Sequence, residues 1–310
     1  MPYNVVTDSN GVQRVTLSHQ PHGSSVEILL HGGRIVSWKN ERGEELLFVR
    51  NKSGGRSPAA IFGGISICFP QISSFEQHEY IRNRLWSLDY GPDLDQEDSN
   101  NTQYSSVDLF FQSSDKDSRI LPCRFELRVK VSVGPGKLAL TPSVRNVGDK
   151  PFSFTFAMSN CLSVSDISEV RVEGLETLDF LDNSLQRKRF TEQADALTFD
   201  GEVNRVYLNT PSKIAIIDHE RKRTFVVHKK GLPDAVVWNP WDKPPRNLGS
   251  DYKTMVSVDS AVFEKPVMLK PFQIWKGFQE INTVSSSYCS GQLDPKKVAQ
   301  AAAHETKPIR

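Results

Sequence analysis

The run Phe125-Glu-Leu-Arg-Val-Lys-Val-Ser-Val-Gly-Pro-Gly-Lys-Leu-Ala-Leu-Thr-Pro-Ser-Val144 decides the fold. Phe125, Leu127, Val129 and Val131 alternate with Glu126, Arg128, Lys130 and Ser132. A period of two buries one face and wets the other, the pattern of a strand in a half-exposed sheet. Gly134-Pro135-Gly136 then turns the chain, and Leu138 to Val144 runs back as the second arm of a hairpin. The same grammar recurs outward in both directions. Ser25 to Leu30 meets Gly32-Gly33 and returns as Arg34 to Lys39. Glu41-Arg42-Gly43 turns the chain again before Leu46 to Val49. Lys213 to Asp218 and Thr224 to His228 flank a polar turn, and Pro266 to Ile274 and Lys276 to Val284 read as late strands. Long amphipathic helical stretches are scarce. Many short strands with Gly- and Pro-bearing turns predict an all-β sandwich or barrel. No internal linker or repeat appears, so residues 1–293 read as one domain. Residues 294–310 read as a polar tail. The acidic stretch Asp93 to Asn101 reads as an exposed hairpin tip.

Bulk properties narrow the function classes. The chain has 310 residues, 38 Lys plus Arg and 37 Asp plus Glu, a formal net charge of +1. That balance gives no electrostatic footprint for a nucleic acid. The run Arg221-Lys222-Arg223 is short, follows Glu220, and reads as a solvated hairpin turn. Cys68, Cys123, Cys161 and Cys289 are far apart and form no C-x-x-C pair. A zinc site or disulfide framework is not indicated, and reduced thiols suit a cytoplasmic protein. Met1 to Gln13 is polar and lacks the apolar core of a signal peptide. No apolar run approaches the ~20 residues a membrane helix needs. A monomer is expected. These features alone do not reach a function.

Several segments resemble the glucose-6-phosphate 1-epimerase family in its plant form. Gly33-Arg34-Ile35-Val36-Ser37-Trp38-Lys39-Asn40, then Gly43 to Val49, is similar to its first hairpins. Gly63-Gly64-Ile65 with Cys68-Phe69-Pro70-Gln71 resembles its Gly-Gly-Ile-Pro…Phe-Pro-Gln segment. Glu76-Gln77-His78 with Arg82-Asn83-Arg84 resembles Gln-His-Gly-Phe-Ala-Arg-Asn. Ser163 to Leu178, Val236 to Lys243 and Glu264-Lys265-Pro266 continue the match in family order. The resemblance implies a β-supersandwich of the galactose-mutarotase type. It also implies interconversion of the α and β anomers of a hexose 6-phosphate. That chemistry needs a base for the C1 hydroxyl proton and an acid for the ring oxygen, each able to reverse its role. It needs a guanidinium for the phosphate. No metal or organic cofactor is implied.

Carried over residue by residue, the resemblance puts the pocket in doubt. Ser159 stands where the family's acid His is expected, in Phe156-Ala157-Met158-Ser159-Asn160-Cys161. A Ser hydroxyl is far too weak an acid to replace imidazole near neutral pH. Asp259 holds the slot of the base Glu, in Val256-Ser257-Val258-Asp259-Ser260, one methylene shorter. Glu264 belongs to a separate motif and is not the base. Phe62 replaces the Arg of Ala-Ile-Arg-Gly-Gly, and Asn204 replaces the Asp of Glu-Val-Asp-Arg-Val-Tyr. Gln77 and Arg82 are retained, the Gly after His78 is Glu79, and the Pro after Gly-Gly-Ile is Ser66. The expected reading is therefore a family member with weak or lost turnover. A non-catalytic sugar or sugar-phosphate binding or regulatory protein is the alternative, and a neutral hexose as ligand is a third.

Each residue also has a plain reading. His78 is a surrogate acid if it faces the pocket, or a turn His satisfied by backbone. Arg82 is the remaining phosphate contact, or an ion-pair partner of Glu76 or Glu79. Trp238 offers a stacking floor for a sugar or simply packs, and Trp241 reads as core. Phe62 reads as pocket filler more simply than as a stacking surface. Cys161 reads as a buried, inert thiol, since no base is paired with it. Gly63-Gly64 alone is a weak phosphate-loop signal.

Overall fold

The computed structural model describes residues 3–9, 11–20, 23–51, 61–70, 81–89, 104–114, 123–243 and 248–285. Gln77, His78, the Asp93 to Asn101 stretch and the expected 294–310 tail lie outside them. Within them the regular structure is almost wholly strand, as the alternation requires, with three short 3-10 segments between strands. The strands are β1 (Tyr3–Thr7), β2 (Gln13–Ser18), β3 (Ser25–Leu29), β4 (Arg34–Lys39), β5 (Val49–Asn51), β6 (Ile61–Gly63) and β7 (Ile65–Cys68). There follow β8 (Ser87–Leu88), β9 (Ser105–Gln112), β10 (Phe125–Gly134), β11 (Lys137–Asn146), β12 (Phe152–Ser163), β13 (Val170–Glu173), β14 (Asp179–Asp182) and β15 (Lys188–Thr191). The last are β16 (Val203–Tyr207), β17 (Lys213–Asp218), β18 (Arg223–Lys230), β19 (Asp234–Asn239), β20 (Met255–Leu269), β21 (Ile274–Lys276) and β22 (Phe278–Ser285).

Two large sheets carry nearly all of them. An 11-stranded sheet runs β1-β2-β3-β4-β7-β12-β20-β19-β16-β14-β15, and a 9-stranded sheet holds β13-β17-β18-β22-β11-β10-β9-β8 with β21 against β11. β5 and β6 form a separate two-stranded ribbon. Every pairing is antiparallel, and the hairpin of β10 and β11 runs from Phe125 opposite Asn146 to Gly134 opposite Lys137. The all-β expectation therefore holds.

The faces of the two sheets meet in an aromatic-rich core. Phe69 sits 4.8 Å from Phe125 across the sheets and 5.2 Å from Phe154, and Trp275 lies 5.0 Å from Phe156. Burying a side chain of this size contributes roughly 1.5–3 kcal/mol. One polar tie crosses the same layer. Asn160 on β12 and Gln279 on β22, both fully buried, exchange amide hydrogen bonds of 2.9 and 2.8 Å. The Asn160 amide also donates to the Val258 carbonyl at 2.8 Å.

Three local readings change. Pro266 does not open a strand but lies inside β20, which runs on to Leu269, at the place where β12 and β20 slip register between Phe154 and Phe156. The irregularity absorbs the missing Pro266 N–H. Leu46 to Val49 is mostly bridged loop, with Leu47 opposite Leu162 and a strand only from Val49. In the basic turn, Arg221 and Lys222 are exposed, but Arg223 is buried and lies 4.6 Å over the Phe225 ring.

Candidate functional site

The site is a row of side chains on the face of the 11-stranded sheet turned away from the core. Along β12, Phe154, Phe156, Met158 and Leu162 join the core, so Ala157, Ser159 and Cys161 take the other face. Antiparallel register extends this face sideways. Ser159 pairs with Ser66 of β7, and Ile65 pairs with Ile35 of β4, which sets Arg34 across from Ser66. On the other side, Met158 opposite Ser260 and Cys161 opposite Ser257 set Ser159 across from Asp259. Asp259 then faces Val236, and Val236 faces Val206. The row reads Arg34, Ser66, Ser159, Asp259, Val236, Val206. A neighbouring row sets Asn204 opposite Trp238 and Trp238 opposite Ser257.

Asp259 is the chemical centre. Its carboxylate accepts the Ser257 hydroxyl at 2.6 Å and the Asn160 backbone N–H at 3.0 Å, and the Ser159 hydroxyl faces it across the ladder and favours its charged form. Burial pushes its pKa from 3.8 up to about 6, and those three donors hold the rise back. A carboxylate so placed is ionised near neutral pH yet basic enough to accept a proton. The Asn160–Gln279 tie explains why β12 and β20 keep this geometry, since Asn160 anchors its strand while its N–H holds the carboxylate.

The other expected residues divide into groups. Register brings Ser159 and Asp259 together as facing positions. Phe62 packs 6.1 Å from Trp238 and 6.2 Å from Phe48, against a patch containing Cys161 and Leu248. It walls the site. Trp238 is thereby partly covered, and Trp241 packs on the main core. Asn204 accepts the Asn183 amide at 2.8 Å and lines a cleft of about 530 Å³ with Val206, Val236, Phe263 and Arg187. That volume suits a small ligand, and Val236 puts the cleft beside Asp259. Gln186 and Arg187 both hold left-handed backbone (φ 57° and 60°) at its rim. Arg82 is felt electrostatically by Arg34 and by Cys68. Cys161 is buried and its pKa is driven upward by burial and by Asp259, as is that of Cys68. Both thiols stay protonated and inert near neutral pH.

Gly63 and Gly64 shape the wall. Both have positive φ, 87° and 73°. A Cβ would stand 2.1 Å from the Phe48 carbonyl oxygen at Gly63 and 2.2 Å from that of Ile35 at Gly64. The pair lets β6 and β7 pass close to their neighbours' backbone, with Gly64 N–H donating to the Phe48 carbonyl at 2.8 Å.

Sequence reasoning missed Ser257, Arg34, and the Asn160–Gln279 tie. Ser257 was findable, since it lies two residues before Asp259 on a strand and shares its face. Glu264 pairs with Arg189 at 3.3 Å. Among the described residues no cluster of three or more His, Cys, Asp or Glu is arranged to hold a metal ion. Among the described residues no helix is long and apolar enough to cross a membrane. A second cleft, about 820 Å³, opens beside Ser163 and is lined by Arg42, Glu44, Arg221 and Arg223. It contains none of the row.

The aldose 1-epimerase family pattern matches residues 13–282 of this chain. The chain belongs to that family. A protein of Cenchrus ciliaris named "Putative glucose-6-phosphate 1-epimerase" is 50% identical over 304 residues, covering 95% of this chain and 92% of that one. A Salmonella typhimurium protein of the same name is 29% identical, covering 76% and 79%. This chain is therefore a glucose-6-phosphate 1-epimerase family member. A solved Salmonella typhimurium structure called a "putative mutarotase" superposes with a TM-score of 0.75 at 23% identity, covering 91% of this chain and 97% of that one. At that identity it speaks for the fold, the supersandwich of mutarotases.

Proposed function

We propose that the protein binds a hexose or hexose 6-phosphate over the Ser159–Asp259 row and interconverts its anomers slowly or not at all. The observation that carries this is the facing of Ser159 and Asp259 across β12 and β20. The slot of the acid holds a hydroxyl, set directly across the ladder from the base. Asp259, with its pKa near 6, can take the C1 hydroxyl proton. No group of comparable acidity stands opposite it among the described residues to protonate the ring oxygen. Losing a general acid costs about 10²–10⁴ in rate. Ser257 and Ser66 offer hydroxyls to a sugar, Asn204 an amide, Trp238 an apolar edge, and Arg82 a charge for a phosphate. The two buried free thiols, Cys68 and Cys161, support a reducing, cytosolic setting, and nothing in the reading needs a second subunit.

The test is anomer exchange of glucose 6-phosphate followed by NMR, with Asp259→Asn as the comparator. The expected result is exchange at or slightly above the buffer rate, the small excess vanishing in the variant, with line broadening that shows binding. Rapid exchange indifferent to Asp259 would refute the reading.

A further inference from the structure

Arg34 stands on the site row, across from Ser66, with 7% of its surface exposed. Its guanidinium donates to the Ile61 carbonyl. Among the described residues no carboxylate lies within ion-pair distance of it. Its electrostatic neighbours are Arg82, a like charge, and the thiols of Cys68 and Cys161. Burial and the nearness of Arg82 pull its pKa down to about 10, so it remains charged at neutral pH. A buried charge without a counter-charge is costly, and one beside a second cation costs more. Tethering Ile61 needs a donor and not a charge, so the tether leaves the cation unexplained.

Placement supplies an explanation. Ile61 precedes Phe62, so the Arg34 guanidinium sits against the segment whose own expected Arg is lost. From β4 to β20 is three strand steps, about 14 Å between backbones. Arg34 and Asp259 lie on one face of the sheet, with the Ser66–Ser159 pair between them. A six-carbon sugar carrying a phosphate fits this polarity, with its anomeric carbon at Asp259 and its anion at the arginines.

We infer that Arg34, flanked by Arg82, is the specificity-determining residue that takes the phosphate of a phosphorylated hexose in place of the arginine absent at Phe62. The inference deepens the sugar-binding reading and rests on it for the sugar, but its anion half is testable alone. A guanidinium–phosphate contact is charge-assisted and bidentate, and its loss weakens binding roughly 10- to 100-fold.

The experiment is calorimetric titration of the native protein, Arg34→Gln and Arg34→Lys with three probes: inorganic phosphate, glucose and glucose 6-phosphate. Arg187→Gln tests the cation at the far side of Asp259, and Arg221→Gln tests the basic turn beside the second cleft. Thermal melts of each protein, without ligand, establish that it is folded. The expected result is that Arg34→Gln loses about 10- to 100-fold in affinity for phosphate and glucose 6-phosphate while glucose binding holds. Arg34→Lys should recover part of that loss, Arg187→Gln should lose less phosphate affinity than Arg34→Gln, and Arg221→Gln should resemble native protein. Three results would overturn the inference: phosphate binding unmoved in Arg34→Gln, an equal loss for glucose and glucose 6-phosphate, or a phosphate affinity governed by Arg187 or Arg221. Should native protein bind phosphate through Arg34 but neither sugar, the anion site stands and the sugar reading falls. Should it bind glucose with phosphate indifferent to Arg34, the sugar reading stands and this inference falls.

Discussion

Replacing Asp259 with Asn should stabilise the protein at neutral pH. The native carboxyl has a pKa of about 6, against 3.8 for an ordinary aspartate. The folded state thus holds its proton more tightly than the unfolded chain. Stability from this group is full below about 3.8, declines as the pH rises through the interval to about 6, and stays low above it. At 1.36 kcal/mol per pKa unit, the ionised carboxylate costs about 3 kcal/mol at neutral pH. An Asn amide carries no charge and keeps one acceptor oxygen for the Ser257, Ser159 and Asn160 donors. Its NH2 finds only donors around it, which returns about 1–2 kcal/mol of that gain. The net expectation at pH 7.5 is a gain of about 1–2 kcal/mol, read as a higher urea midpoint at unchanged slope. The difference between variant and native should shrink toward pH 4.5, where both are neutral at this position. Midpoints at pH 4.5, 6 and 7.5 measure it. A variant less stable than native at pH 7.5, or a difference that ignores pH, would refute the placement of a desolvated carboxylate here. A stabilising loss of this kind marks a residue kept for binding or chemistry and not for folding.

Three further perturbations follow from the same geometry. Gly64→Ala puts a Cβ 2.2 Å from the Ile35 carbonyl at a φ of 73°, and should cost about 3 kcal/mol or more by chemical denaturation. Asn160→Ala orphans the buried Gln279 amide and removes the Asn160 side-chain bonds across the sheets, so a loss of about 2–4 kcal/mol is expected in the same assay. Phe62→Ala removes the ring against Trp238 and Phe48, and should raise the quenching of tryptophan emission by iodide as Trp238 opens to solvent. Unchanged quenching would mean that Phe62 does not cover the site wall.

The sheet architecture was legible because each hairpin carries its own evidence. β10 and β11 could be placed from the alternation of Phe125 to Val131 and the Gly-Pro-Gly turn, and β3, β4, β17 and β18 likewise. The late strands were misread where local pattern cannot see pairing: the slip between β12 and β20 accommodates Pro266 within a long strand that ends at Leu269. The resemblance supplied Ser159 and Asp259 as opposed positions, and register brings them together. Arg34 was invisible as a site residue because its role depends on β4 lying beside β7, a pairing between distant segments. Its buried, unbalanced charge is a property of the fold and has no signature in composition or spacing. Asn160 and Gln279 stand 119 residues apart, so their tie is equally unreadable from the chain. Arg223 shows the converse limit: a basic run reads as solvated, yet its first strand position turns inward onto Phe225.

The central claim is that an intact scaffold here carries a base without an acid. The direct measurement is the NMR exchange rate of glucose 6-phosphate anomers for the native protein and for the Ser159→His, Asp259→Glu double variant. The account expects native exchange near the buffer rate and a double variant at least about 10²-fold faster, the share of catalysis a general acid supplies. Native exchange already as fast as the double variant, with both well above buffer, would contradict it.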